Sequence, residues 1–219
     1  MRNFKEITQY IEKEIIPIYY KNDAAHGYSH VQYVIKRAIK FAQQLHCDLS
    51  IIYVAAAFHD IGHYIDSSKH EKISAQIFSE NEQMKKFFCA EERKIIFEAI
   101  EDHRASNNIS PRSIYGEILS TADRTVSVKK AILRSIQYNI DKNKGLIEKN
   151  EIANNVKVYL NKKYGKGGYA KGFINDRRFN SFTKKMKYLI EHSLLLDKII
   201  TRLIGFVLNR YNEQNGTKV

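Results

Sequence analysis

In the stretch Ala55-Ala56-Ala57-Phe58-His59-Asp60-Ile61-Gly62-His63, a run of small apolar residues leads directly into an adjacent His-Asp pair. Imidazole is a common ligand for Zn, Fe, Ni and Mn, and a carboxylate adds a hard oxygen donor. Neighbours on an α-helix point about 100° apart, so His59 and Asp60 can share a target only near a helix end, where Gly62 loosens the backbone. Ending a buried helix with this pair is unfavourable unless a cation or hydrogen bonds compensate the lost hydration. The pair is therefore a candidate half of a metal site. Side chains of the same types recur in order along the chain. His26 and His30 lie in His26-Gly27-Tyr28-Ser29-His30-Val31, and His70 lies in Lys69-His70-Glu71-Lys72-Ile73-Ser74-Ala75. His103 follows in Ile100-Glu101-Asp102-His103-Arg104, and Asp123 in Ser120-Thr121-Ala122-Asp123-Arg124. Each alone is more often a hydrogen-bonded or solvated side chain than a ligand. Asp123, at the end of an apolar segment, needs a partner that Arg124 or a metal could supply.

Taken together and in this order, these motifs resemble the signature of the HD superfamily of metal-dependent phosphohydrolases, in its His-Asp-Ile-Gly form. The resemblance implies His30, His59, Asp60 and Asp123 as metal ligands. It implies that His70 and His103 either ligate a second ion, with Asp60 bridging, or face the substrate phosphate. The cofactor so implied is one or two divalent ions (Mn, Fe, Ni, Co or Mg), and no thiolate is present to select zinc. The implied reaction is hydrolysis of a phosphate ester or anhydride, with Asp60 and His63 in catalytic roles. His63 and Asp66 are the candidates for proton transfer. His26, His70, His103, Arg104 and Arg124 are the expected substrate contacts, the two arginines being the cations nearest in sequence to expected ligands. The pattern looks most like bacterial stand-alone HD phosphohydrolases, including nucleoside triphosphate pyrophosphatases. A small phosphate-containing substrate, a nucleotide, is therefore expected. The chain departs from the usual pattern at Ser74, where many relatives have Gly, and it has no Gly-Tyr-Pro motif of cyclic-di-GMP phosphodiesterases. The competing reading is a non-catalytic HD-type module that binds RNA or a signalling nucleotide through a basic C-terminal lobe.

The elements that must carry these side chains read as helices. Phe4, Ile7, Ile11, Ile15 and Ile18 give one amphipathic helix over 2–20, which Pro17 ends or kinks. A second runs from about 28 to 46, with His30 near its start. Asp48 and Ser50 are caps for a third, from Ile51 to about Gly62, apolar on nearly every side and so expected to be buried. Helices follow at 70–80, 91–103 and 111–125, the last opened by Ser110-Pro111. Three more are expected at 127–139, 149–163 and 176–213, the last broken near His192. Gly165-Lys166-Gly167-Gly168 lacks Walker spacing and reads as an ordinary connection between helices.

With 219 residues, 43% hydrophobic content, two Pro and no strand-like alternation, the chain is expected to be all-α. The expected architecture is an HD-domain helical bundle with additional C-terminal helices. The charge is unevenly placed: residues 1–129 hold 17 Lys+Arg against 17 Asp+Glu, and residues 130–219 hold 19 against 7. This divides the chain into a metal-binding helical core, 1–129, and a basic C-terminal extension, 130–219, packed on it. A basic lobe beside a metal site favours polyanionic substrates. It is equally consistent with a solvated lysine-rich surface. Cys47 and Cys89 are too few for a disulfide framework or a thiolate site. With no apolar leader and no long apolar run, the expected location is cytoplasmic, away from membranes.

Overall fold

Apolar residues at a three-to-four spacing set most of the helices, and capping side chains set where they begin. The computed structural model describes residues 3–23, 25–107 and 109–214. Its helices are α1 (Phe4–Tyr10), α2 (Tyr28–Gln44), α3 (Leu49–Phe58), α4 (His70–Glu80), α5 (Glu82–Phe87) and α6 (Ala90–Asp102). They continue with α7 (Ile114–Asp123), α8 (Val128–Lys142), α9 (Lys149–Tyr164), α10 (Arg177–Glu191) and α11 (Ser193–Gln214). The described residues contain no strand, and the fold is all-α. None of their helices is long and apolar enough to cross a membrane. The chain forms two compact units, Met1–Arg124 with Gly172–Asn175, and Thr125–Lys171 with Asp176–Val219. The first unit's continuous part ends at Arg124, and a short later segment, Gly172–Asn175, returns to it.

In the first unit α3 runs through the middle. The Asp48 carboxylate caps it by accepting from the backbone N–H of Ser50 (2.8 Å) and Ile51 (3.4 Å). Every residue from Ser50 to Phe58 is buried, against α2, α6 and α7. A helix apolar all round is stable only in such a position. Phe58 meets Phe78 edge to face at 5.3 Å, and truncating it to Ala would destabilise the unit by about 3–5 kcal/mol.

The N-terminal segment is not one α-helix. After Tyr10 it widens into a π turn, Ile11–Ile15, and then tightens into a 3-10 turn, Ile16–Lys21. Pro17 has no N–H to give to the ladder, and the backbone changes register around it. This brings Ile16 and Tyr19 into the core behind Ile7, Ile11 and Ile15. Helix α3 ends at Phe58, four residues short of Gly62. Helix α5 is an element the periodicity did not reveal, since it has only Met84 buried and is set by the Asn81 cap (3.0 Å to the Met84 N–H). Ser110-Pro111 does not open α7. Asp102 holds the backbone N–H of Arg112 (2.7 Å) and its guanidinium, so the helix waits for the Ser113 cap.

The second unit packs α8, α9, α10 and α11 around Ile132, Ile136, Ile140, Val156, Leu160, Met186 and Ile200. α10 and α11 are separated at His192. The Gly165–Gly168 segment is a turn after α9, with Gly167 at φ +73°, a conformation that only glycine adopts readily.

Candidate metal centre

Six side chains that could ligate a metal all sit at helix ends. His30 lies in the first turn of α2, His59 caps α3 and Asp60 follows it. His70 opens α4, His103 caps α6, and Asp123 is the last residue of α7. A residue at a helix end can turn away from the helix axis, so neighbours such as His59 and Asp60 reach the same point.

That point is the Asp60 carboxylate. Its Oδ2 lies 3.3 Å from Nε2 of both His30 and His59. Its Oδ1 lies 3.3 Å from Nε2 of both His70 and His103, and takes no hydrogen bond although it is buried. Asp123 Oδ1 stands 3.1 Å from His30 Nε2. The four Nε2 atoms also face one another, His30 with His59 at 3.2 Å and His70 with His103 at 3.3 Å.

Tautomers follow from the other ring nitrogen. Nδ1 of His59, His70 and His103 lies 2.8, 2.9 and 2.6 Å from the carbonyl oxygens of Ala56, Ser67 and Ile100. A carbonyl only accepts, so each Nδ1 carries a proton, and the tautomer this fixes leaves Nε2 as the nitrogen that can be bare and face the centre. Bare nitrogens facing each other at this distance repel unless a proton or cation lies between them. Donors bonded at right angles to one ion at about 2.1 Å stand about 3 Å apart. The spacings here match such edges. The residues therefore fit a divalent cation, and the buried Oδ1 of Asp60 is an unused donor that such an ion would satisfy.

The electrostatics agree. Burial raises the Asp60 and Asp123 carboxyls, and the histidines around them lower both by more, well below the usual carboxylate range. Burial lowers His30, but Asp123 and Asp60 more than reverse this and raise it to about 9. His103 is raised by Asp60 and Asp123 against burial, whereas His70 is lowered by burial and by His103.

Six imidazoles close a ring around this carboxylate. Successive centroids are 5.2 Å apart from His30 to His59, 5.1 Å to His103, 5.2 Å to His70, 5.4 Å to His63, 3.9 Å to His26 and 5.8 Å back to His30. His26 and His63 are stacked, and their partner is Asp23, 3.0 Å from His26 Nδ1 and 3.7 Å from His63 Nδ1. These three could also hold an ion. The ring is open on that side, where His26, Asp123, His70 and His63 keep side-chain exposures from 33% down to 11%. Burial, with His26 and His70, lowers His63 to about 4 against the opposing pull of Asp60 and Asp23. Asp66 is bound to Ser68, 2.6 Å from its Oγ and 2.8 Å from its N–H.

The two arginines have other partners. Arg104 donates to Glu71 Oε2 at 2.9 Å and to the Ser68 carbonyl. Arg124 is buried and donates to the His103 carbonyl (3.1 Å) and to Ser120 Oγ (2.6 Å). Each supports the backbone beside a histidine instead of standing at the open side, because proximity in sequence does not fix direction.

Three supporting residues, Tyr19, Asn22 and Arg37, are not among those singled out from the sequence, and a fourth, Ser74, stands there only as a departure from the usual Gly. The Tyr19 hydroxyl donates to the Ala57 carbonyl at 2.9 Å and accepts the Asp60 N–H at 3.2 Å. Asn22 Nδ2 donates to the carbonyls of Asp60 and His26, both at 2.9 Å. Arg37 donates to the carbonyls of Ala122 and Arg124, the latter at 2.7 Å, and so grips both sides of Asp123. Ser74 Oγ accepts the Gly62 N–H at 3.0 Å. Gly62 does not serve to loosen a helix. A Cβ there would lie 2.6 Å from Ile73 Cγ2 and 2.9 Å from Ser74 N, so only glycine lets α4 approach the His-Asp turn. Of the first three, Arg37 alone left a signal, a charge within the apolar stripe of Val34, Ile35, Ala38 and Phe41.

A family model for the HD domain matches residues 27–127. Among solved structures the chain is similar to the crystal structure of a predicted HD superfamily hydrolase from an uncultured Thermotogales bacterium. The two are 28% identical, over 62% of this chain and 81% of that one, with a TM-score of 0.47. No curated protein matches the chain at a significant level. The span that matches the HD domain, 27–127, contains His30, His59, Asp60, His70, His103 and Asp123, together with His63 of the open side.

Proposed function

We propose that this protein is a divalent-metal phosphohydrolase that cleaves a phosphate ester or anhydride of a nucleotide. The observation that carries the reading is the double use of buried Asp60. Its two oxygens face two different histidine pairs, and one of them has no hydrogen-bond partner. His30, His59, Asp60 and Asp123 would hold one ion, and Asp60, His70 and His103 a second, with Asp60 bridging. When bound, such ions supply Lewis acidity, lowering the pKa of water and polarising phosphoryl oxygens.

The chain's own groups do the rest. Backbone carbonyls fix the tautomers of His59, His70 and His103, which keeps Nε2 free for the centre. Tyr19, Asn22 and Arg37 orient the carboxylates through the backbone beside them. His26 and His63 line the open side, where a substrate would enter. His63, neutral at pH 7 because its pKa is lowered to about 4, can accept a proton there. Arg104 and Arg124 position His70 and His103 and leave the substrate to the histidines.

The test is metal content of gently purified protein beside His59→Ala and His103→Ala, followed by hydrolysis of a nucleotide panel with the metal found. About two ions in the wild type, about one in His103→Ala and almost none in His59→Ala support the reading. No ion in the wild type, and none retained after loading with Mn²⁺, Fe²⁺ or Ni²⁺, would exclude it.

A further inference from the structure

Among the described residues, the first unit leaves eight large apolar side chains exposed, and four of them fall on two short segments. They are Tyr20 (73% exposed), Tyr28 (42%), Tyr64 (42%) and Ile65 (55%). Isolated exposed aromatics need no explanation, but these belong to the two short chain segments that also carry His26 and His63 of the open side. Tyr28 lies between His26 and His30, Tyr64 follows His63, and Tyr20 follows Tyr19, whose hydroxyl is bound to Asp60. They are also in register with one another. The Tyr20 and Tyr28 rings are parallel, 2° apart in plane with centroids at 5.5 Å. The Lys21 ammonium stands 5.2 Å from the centre of the Tyr64 ring. Consecutive residues Tyr20 and Lys21 thus join the stacked pair to Tyr64.

Exposed parallel rings contribute little to folding, because they bury little area. What they offer is a planar aromatic surface, with a cation over the Tyr64 ring. Aromatic side chains of this kind bind bases by stacking, which tolerates any base because every base has a π-face. We propose that Tyr20, Tyr28, Tyr64 and Lys21 form the subsite for the base of the substrate. A purine or pyrimidine stacks on the tyrosines while its phosphate lies at the open side, and Lys21 offsets part of the phosphate charge. Stacking alone ranks ligands by ring area: purine above pyrimidine, and both above inorganic phosphate. This rests on the phosphohydrolase reading for the phosphate position, and the base preference is measurable apart from it.

The experiment is calorimetric binding of adenosine monophosphate, cytidine monophosphate and inorganic phosphate to the full chain, metal-free and metal-loaded. The variants are Tyr20→Ala, Tyr64→Ala and Tyr20→Phe. The wild type is expected to bind adenosine monophosphate about tenfold or more tightly than phosphate, with cytidine monophosphate between. Each alanine variant should lose most of that margin and keep its affinity for phosphate, while Tyr20→Phe, which retains the ring, should keep the margin. Equal or undetectable affinities in the wild type overturn the proposal. So does an alanine variant that weakens nucleotide and phosphate alike. Hydrolysis of inorganic tripolyphosphate by the metal-loaded protein separates the two readings. Hydrolysis without base preference removes the subsite and keeps the enzyme; base preference without any hydrolysis does the reverse.

Discussion

The first unit buries Ile52, Ala56, Phe58 and Ile118, and the second buries Ile136, Leu160 and Met186 in the same manner, with apolar helix faces turned inward. Their buried polar groups differ. The first encloses His30, Arg37, His59, Asp60, Glu71, Asp102, His103 and Arg124. In the second the buried polar side chains among the described residues are Ser135, Asn139 and Asp176. Burying charge is unfavourable unless every group is partnered, and folding alone gives no reason for the first unit to bear it. The second unit packs its apolar helix faces with one buried carboxylate among the described residues, Asp176, which caps α10. The difference marks where selection has acted on chemistry.

Asp60→Asn should change most. It removes the charge both histidine pairs face, and we expect no retained metal and a fall in hydrolysis of about a thousandfold or more, measured on refolded, metal-loaded protein. Retained metal at wild-type level would break the comparison, because the buried charge would then have no ionic partner to serve. Arg37→Ala comes next. It leaves two carbonyls beside Asp123 without their donor, and should destabilise the first unit by about 3 kcal/mol, read as a lowered denaturation midpoint, together with weaker metal retention.

The pH dependence sharpens the contrast. His30 is raised to about 9 in the metal-free chain. The stability from its protonated ring between Asp60 and Asp123 is therefore fully present below about 6.5 and is lost as pH rises through 9. Metal must displace that proton. Affinity for the ion should rise with pH, by about tenfold per unit for one proton, and level off near 9. A pH-independent affinity over this range would contradict the arrangement around His30.

Tyr19→Phe removes one hydroxyl that supports Asp60 from behind. We expect about a tenfold loss of metal affinity and about 1 kcal/mol of stability. The smallest effect belongs to the second unit. Asn139 donates to the Ser135 carbonyl at 2.8 Å and accepts from Asn155 at 3.0 Å. Asn139→Ala should cost about 1 kcal/mol and leave metal content unchanged.

The six residues around Asp60 were legible because their types are chemically rare in apolar surroundings and their order is a pattern. Their supports were not. Tyr19 reaches the centre only because the backbone changes register at Pro17, which no periodicity reports. Asn22 and Ser74 act through backbone groups, and a polar side chain in a polar stretch gives no sign of that. For Arg104 and Arg124 adjacency to a histidine or aspartate in sequence does not give direction, and their hydrogen bonds go to Glu71, Ser68, the His103 carbonyl and Ser120. Long helices such as α2 and α9 were legible to within a few residues, whereas α5 and the start of α7 depended on caps and on Arg112.

Thr121 Oγ1 accepts the backbone N–H groups of Phe173 (2.9 Å) and Ile174 (3.1 Å). The metal-bearing unit is therefore not a continuous length of chain. A fragment cut at Arg124 lacks the tetrapeptide that closes over the last turn of α7, two residues from Asp123. Anyone wishing to express or transplant this unit must make two cuts and splice 172–175 back in, and the 47 residues from Thr125 to Lys171 are, in topological terms, an insertion.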